Sequence, residues 1–330
     1  MKSSIKNPTQ DILCPLCNSK SVKPASAIND DSFYFCDDCG AEFCVSIEAG
    51  SSEYYEFNYG ADGEGYGDEN KWEFQKFATD SKKFNVRGRL IDIGCGPGEF
   101  LKVASRCGFD VFGVDFNELA IEKARSCGFN NVKVGALSDI PRLFPGVVFD
   151  VASMFHVLEH LEDPALSIKE IKGILNSKGV LAIAVPNSRR FFLTINLRKR
   201  REGWDYPPHH LTRWNKDSLS KFLMSQGFEI MEIAEERLET IGQNYEFIQG
   251  FLSFLTSTGA VAKVKKDQFS NHEKQQKNTL KFRILKVAAV IKTVVLQVPV
   301  IILLPFLFLL SKFVFLRGVN LYVLAKKKIQ

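Results

Sequence analysis

The chain has 330 residues, a net charge of +5, and 45% hydrophobic and 25% charged residues. That is the balance of an ordinary folded protein with room for one large domain and additions. So mild a charge argues against a dense basic face, and nucleic acid is not an implied partner. The polar opening stretch has no apolar run of a secretory signal, so the eight cysteines are expected in a reducing, cytoplasmic setting, as metal ligands rather than disulfides.

Residues 1–50 are cysteine-rich and loop-like. Cys14-Pro-Leu-Cys17 and Cys36-Asp-Asp-Cys39 are two CxxC pairs separated by 18 residues. Each pair places two sulfurs at the tip of a tight turn, and two tips complete a four-thiolate zinc site. With all four positions filled by protein, the zinc is structural, and Cys44 is a small buried spare. Residues 51–85, opening with an aromatic, acidic and glycine-rich stretch, read as linker and lid.

From Arg89 short β-type runs alternate with helical stretches: RLIDIG, EFLKVASRCG, DVFGVD, NELAIEKARSCG, NVKVG, FDVASM, PALSIKEIKGILN and GVLAIAVP. A helix over 215–226, the strand FEIMEIAEE and a terminal strand NLYVLAKKK complete the pattern. Such alternation predicts an α/β fold with a mostly parallel, doubly wound sheet. The boundaries are 1–50 for the ribbon, 86–240 for the main domain, 241–317 for an apolar insertion and 318–330 for the last strand and basic tail.

The segment Arg89-Leu-Ile-Asp-Ile-Gly-Cys-Gly-Pro-Gly-Glu-Phe is strand, glycine turn, helix. Glycine allows close backbone approach to a ligand, and the helix start attracts a carboxylate. Dinucleotide binding requires G-x-G-x-x-G, but here the glycines are 94, 96 and 98 and position 99 is Glu. Asp92 would repel a pyrophosphate; it suits a ligand carrying an ammonium group. Asp115, at the end of the second strand, can accept bonds from both hydroxyls of a ribose.

Asp92-Ile-Gly-Cys-Gly-Pro-Gly98 resembles the first motif of class I S-adenosylmethionine-dependent methyltransferases. Asp115 fits that family's ribose-binding acid, and Phe149-Asp-Val its fourth strand. The resemblance covers about residues 86–240 and the last strand. It implies a Rossmann-like seven-stranded sheet and S-adenosylmethionine as cofactor. Asp92, Gly94, Cys95, Gly96 and Gly98 would hold the methionine part, Asp115 the ribose, and Phe116 would flank the adenine. Ser138 or Asp139, in the loop 135–139, would contact the adenine edge.

Four of the five histidines lie in two clusters. His156, Glu159 and His160 follow the fourth strand at the sheet's carboxyl edge, where ligands sit. Their spacing is helical and would align them on one face; His156 is expected to face the cofactor, and Glu159 with His160 to form a hydrogen-bonded pair. Some quinone-pathway O-methyltransferases look similar here but carry Glu-x-x-Glu-His, which binds a divalent cation. This chain has His where their first Glu stands, which argues against that metal. The second cluster, Trp204-Asp-Tyr-Pro-Pro-His209-His210-Leu-Thr-Arg-Trp214, resembles a Pro-Pro-His-His-Leu segment of methyltransferases acting on sugars and lipid-linked acceptors. A hydroxyl acceptor needs a base, expected among His209 and His210.

Residues 189–201 have basic ends around an apolar middle, and 293–311 are nineteen residues without a charge. The second run is long enough to span a membrane, but Pro299 and Pro305 interrupt it. A last strand beyond it must return to the sheet. A kinked or hairpin monotopic element at the inner face of the membrane is therefore expected. The function expected from these features is O-methylation of a membrane-associated glycan or lipid-linked acceptor. The alternatives are an RNA base methyltransferase with a zinc ribbon and a catalytically inactive membrane scaffold.

Overall fold

The computed structural model describes residues 12–25, 33–45, 68–189, 207–236 and 319–329. The apolar run 293–311 and nearly all of the basic segment 189–201 lie outside them. Among the described residues no helix is long and apolar enough to cross a membrane.

Three short strands open the chain, β1 (Val22–Pro24), β2 (Phe33–Cys36) and β3 (Glu42–Cys44). Helix α1 (Trp72–Lys83) leads into strand β4 (Arg89–Ile93). Then come α2 (Glu99–Arg106), β5 (Asp110–Asp115), α3 (Glu118–Ser126), β6 (Val132–Val134), α4 (Ile140–Leu143) and β7 (Phe149–Phe155). Beyond them are α5 (Pro164–Ile174), β8 (Leu175–Pro186), β9 (Thr212–Arg213), α6 (Lys216–Ser225), β10 (Phe228–Glu235) and β11 (Asn320–Lys327).

The central sheet has seven strands in the order β10-β11-β8-β7-β4-β5-β6. β11 is antiparallel to both neighbours, whereas β4, β5, β6, β7 and β8 run parallel. This is the expected Rossmann-like architecture. β4, β7 and β8 are buried on both faces and accordingly read as near-continuous apolar runs.

Alternate residues feed two cores, as the pleat requires. Ile91, Ile93, Ala152, Met154, Ile183 and Val323 face one side, with Ile168 and Ile171 of α5 and Leu219 and Phe222 of α6. Leu90, Val151, Phe155, Ala182 and Tyr322 face the other, with Phe74 and Phe77 of α1 and Phe100 of α2. Several helix starts carry a local reason for stopping there: Asn117, Asp163 and Asn215 each accept a backbone N–H of the first turn.

Helix α1 falls in the stretch read as linker and lid. Its inner face belongs instead to the core, through Phe74 against Phe100 and Phe155, and Phe77 against Phe100 and Phe109. Phe74, Phe77, Ser81 and Phe84 recur at helical spacing, a pattern hidden beside the glycine-rich stretch before it.

The N-terminal strands form a second sheet, and its fourth member comes from elsewhere: β9 pairs with β3 through Glu42–Arg213 and Phe43–Thr212. Cys14, Cys36, Ala41 and Phe43 share one core with Trp214, Leu219 and Phe222. The ribbon is thus tied to the segment that carries His209 and His210.

Candidate active site

A cavity of about 520 Å³ opens at the carboxyl edge of β4, β5 and β7. Asp92, Gly94, Cys95, Gly96 and Asp115 line one part, and His156, Glu159, His160 and His210 another.

The glycine turn is built for close approach. Gly94, Gly96 and Gly98 have φ of +75°, +51° and +91°, a region that side chains avoid. At Gly94 a Cβ would also stand 2.5 Å from Val157 Cγ2. The turn is held by Gly94 N–H and Cys95 N–H, which both donate to the Val114 carbonyl at 2.8 and 3.1 Å. The Cys95 side chain packs into the core beneath β5, where a Cβ on Gly113 would meet its sulfur at 2.7 Å. Cys95 therefore meets the cavity through its backbone.

Asp92 and Asp115 are buried carboxyls. The Ser153 hydroxyl donates to Asp92 Oδ1 at 2.7 Å. Burial, reinforced by the nearby Asp115 and Glu99, pushes Asp92 up to about 8 despite that bond. Asp115 accepts Gly96 N–H at 2.8 Å and Asn117 N–H at 2.9 Å. Burial raises it too, against those bonds. A carboxylate has about four acceptor positions, so Asp115 retains capacity for ribose hydroxyls. Phe116 beside it is exposed at 44% and lines the cavity.

The loop after β6 contributes Gly135, Ala136 and Leu137 to the lining. Ser138 and Asp139 do not line the cavity. Asp139 instead accepts Ala136 N–H at 3.0 Å and a bond from Arg142 at 3.0 Å, which fixes the turn. Gly135, Ala136 and Leu137, rather than Ser138 or Asp139, are thus what this loop offers the cavity.

His156 lines the cavity, but not from a helix. It has φ +56°, and only Leu158–His160 form a 3-10 turn. Its Nε2 is 3.0 Å from Glu73 Oε1, and its Nδ1 is 3.6 Å from Glu159 Oε1. The first contact is a hydrogen bond; the second is an ion pair only. Burial opposes a charge on His156, yet the two carboxylates outweigh it and raise the imidazole to about 10. The same contacts lower Glu73, and bring Glu159 to about 2, against the burial of both. Glu73, in the first turn of α1, is the partner that sequence reasoning missed; 83 residues separate it from His156.

Glu159 and His160 do not form a hydrogen-bonded pair: Oε1 and Nε2 are 3.9 Å apart. His160 Nδ1 instead donates to the His209 carbonyl at 2.5 Å. Ring centroids of His160, His209 and His210 lie 4.6 to 4.9 Å apart. His210 reaches the cavity lining, and His209 packs behind it.

In the ribbon, Cys14 and Cys39 Sγ are 3.7 Å apart, and Cys17 and Cys36 Sγ 3.6 Å. All four sulfurs converge. A tetrahedron with metal–sulfur bonds of 2.3 Å has edges of about 3.8 Å, so the donor set fits zinc.

Residues 71–233 match the family model described as a methyltransferase domain. The chain is 30% identical over 143 residues to a probable S-adenosylmethionine-dependent methyltransferase of Mycobacterium tuberculosis, covering 42% of this chain and 48% of that one. It is 27% identical over 172 residues to a ubiquinone biosynthesis O-methyltransferase of Bradyrhizobium diazoefficiens, covering 48% and 66%. The chain thus spans about half the length of the first curated relatives it matches. Among solved structures, an S-adenosylmethionine-dependent methyltransferase from Archaeoglobus fulgidus aligns with a TM-score of 0.47 at 18% identity, covering 83% of this chain and 98% of that one. Residues 71–233 are thus matched as a methyltransferase domain, similar to that of S-adenosylmethionine-dependent methyltransferases.

Proposed function

We propose that this protein transfers a methyl group from S-adenosylmethionine to a hydroxyl of a membrane-associated glycan or lipid-linked acceptor. The observation that carries the reading is one cavity with two chemically different ends. The Asp92, glycine-turn and Asp115 end suits the cofactor, and the imidazole end suits a hydroxyl.

When bound, S-adenosylmethionine supplies a methyl group on a sulfonium centre. Asp92 takes the ammonium group, the glycine turn brings backbone against the methionine part, Asp115 takes the ribose and Phe116 flanks the adenine. A base among His209 and His210 activates the acceptor hydroxyl; His156, held between Glu73 and Glu159, shapes the wall between the two ends. The four cysteines hold a structural zinc. The nineteen uncharged residues 293–311 support an amphiphilic acceptor presented at a membrane surface.

The test is transfer of labelled methyl to fractionated membrane lipids and glycans, with RNA in parallel. Label in base-stable methyl ethers of the lipid or glycan fraction is the expected result. Label in RNA alone, or cofactor binding without any transfer, overturns the acceptor assignment. For the cofactor, Asp115→Ala is expected to weaken S-adenosylmethionine binding by about 1–3 kcal/mol, because two ribose hydroxyls and two backbone donors lose their acceptor. Calorimetry in which Asp115→Ala binds as wild type does, or in which NADH binds instead, contradicts the assignment.

A further inference from the structure

Three imidazoles converge at the acceptor end of the cavity, brought from two segments 49 residues apart. One ring nitrogen each from His160, His209 and His210 lies within 4.8 Å of the others. His209 and His210 are 3% and 8% exposed.

The hydrogen bonding of His160 has a direction. A carbonyl only accepts, so the bond from Nδ1 to the His209 carbonyl places the proton on Nδ1. Nε2 is then the nitrogen with a lone pair, and it points toward the cluster and Glu159. A second-shell carbonyl that fixes the tautomer and leaves the other nitrogen to ligate is the usual setting of a metal-bound histidine. Glu159 completes the picture. It is 1% exposed, neither of its carboxylate oxygens has a hydrogen-bond partner within the described residues, and Oε1 is 3.9 Å from His160 Nε2. Burying a carboxylate without hydrogen bonds is costly, and His156 meets it from one side only.

We propose that His160, His209 and His210, with the carboxylate of Glu159, bind a divalent first-row transition ion at the acceptor end of the cavity, separate from the four-cysteine centre and through a donor set other than the Glu-x-x-Glu-His one that His156 breaks. Imidazole nitrogens and one carboxylate are the donor set such ions favour. His160, His210 and Glu159 line the cavity, so a remaining coordination position opens toward the acceptor. This deepens the proposed function by giving the imidazoles an ion through which to act on the acceptor oxygen. If the ion does not bind, His209 and His210 remain as bases and the methyltransferase reading stands.

The test uses the full chain loaded with zinc and no turnover. Metal content is measured by emission spectroscopy, and the ligand shell by X-ray absorption at the zinc edge. Two zinc ions per chain are expected, with a shell of mixed sulfur and nitrogen and the outer scattering of imidazole rings. His160→Gln and His210→Ala should each lose one equivalent while retaining S-adenosylmethionine binding. A single ion with a nitrogen and oxygen shell also supports the site, and then removes the cysteine one. A shell of sulfur alone, or the same metal content in wild type and both variants, overturns the proposal. The shell is read on the unaltered protein, so the outcome does not depend on a variant folding.

Discussion

Asp92→Asn is expected to cost about 3–5 kcal/mol of S-adenosylmethionine affinity, more than about a hundredfold, and at the same time to stabilise the cofactor-free protein at alkaline pH. Both effects come from one buried carboxyl at the end of β4, 3% exposed, whose neighbours include the Ser153 hydroxyl and the carboxylates of Asp115 and Glu99. Removing one member of a buried ion pair strands the other charge, which sets the affinity cost.

The stability effect follows from the sign of the shift. Asp92 is raised from an ordinary carboxyl value to about 8. A group raised on folding contributes stability below its unfolded pKa, near 4, and loses it as pH rises through about 8. Asn has the shape without the titration. The variant should therefore gain most at pH 8 to 9, by at least about 1 kcal/mol or a few degrees in midpoint, and the gain should shrink toward pH 4. Thermal melts across pH without cofactor, with calorimetry of binding, check both halves. Wild-type affinity in the variant, or a stability difference flat with pH, shows that Asp92 is not the ammonium site.

Cys36→Ser is expected to release the ribbon metal and to lower methyl transfer by about a hundredfold or more, while S-adenosylmethionine binding stays within a few-fold of wild type. Structural zinc contributes on the order of 10 kcal/mol to small metal-held units. Here the loss would travel along named contacts. Cys44 N–H donates to the Leu211 carbonyl at 2.9 Å, Arg213 bonds Glu42 at 2.7 Å, and Asn215 Nδ2 donates to the Gly40 carbonyl at 2.6 Å. Freed from β3, the segment 209–215 no longer holds its two histidines against His160.

The residues proposed to hold the cofactor sit at the ends of β4 and β5, which pair with no strand of the ribbon sheet. Hydrogen exchange over 209–215, zinc content, cofactor affinity and turnover together read the split. Turnover unchanged in a zinc-free variant would mean that the ribbon is an independent module. Loss of cofactor binding together with the metal would mean that the two sheets are coupled more widely than these contacts allow.

What the sequence determined by itself is what depends on neighbours along the chain. The short β-type runs of β4, β5, β7, β8, β10 and β11, the glycines at 94, 96 and 98, and the two CxxC turns are local patterns. Their physical causes, β propensity, positive φ and turn geometry, act within a few residues. The last strand was likewise legible, as an apolar run beyond the long insertion, but its antiparallel pairing was decided by the tertiary structure. The tertiary structure alone decided what joins distant segments. Glu73 meets His156 across 83 residues, His160 meets the His209 carbonyl across 49, and Glu42 meets Arg213 across 171. The helical spacing of His156, Glu159 and His160 pointed to one shared face, yet a left-handed residue and a 3-10 turn bring the three together differently. No pattern within a segment encodes such a meeting, because it follows from how the sheet stacks its crossovers and which polar groups are then buried face to face.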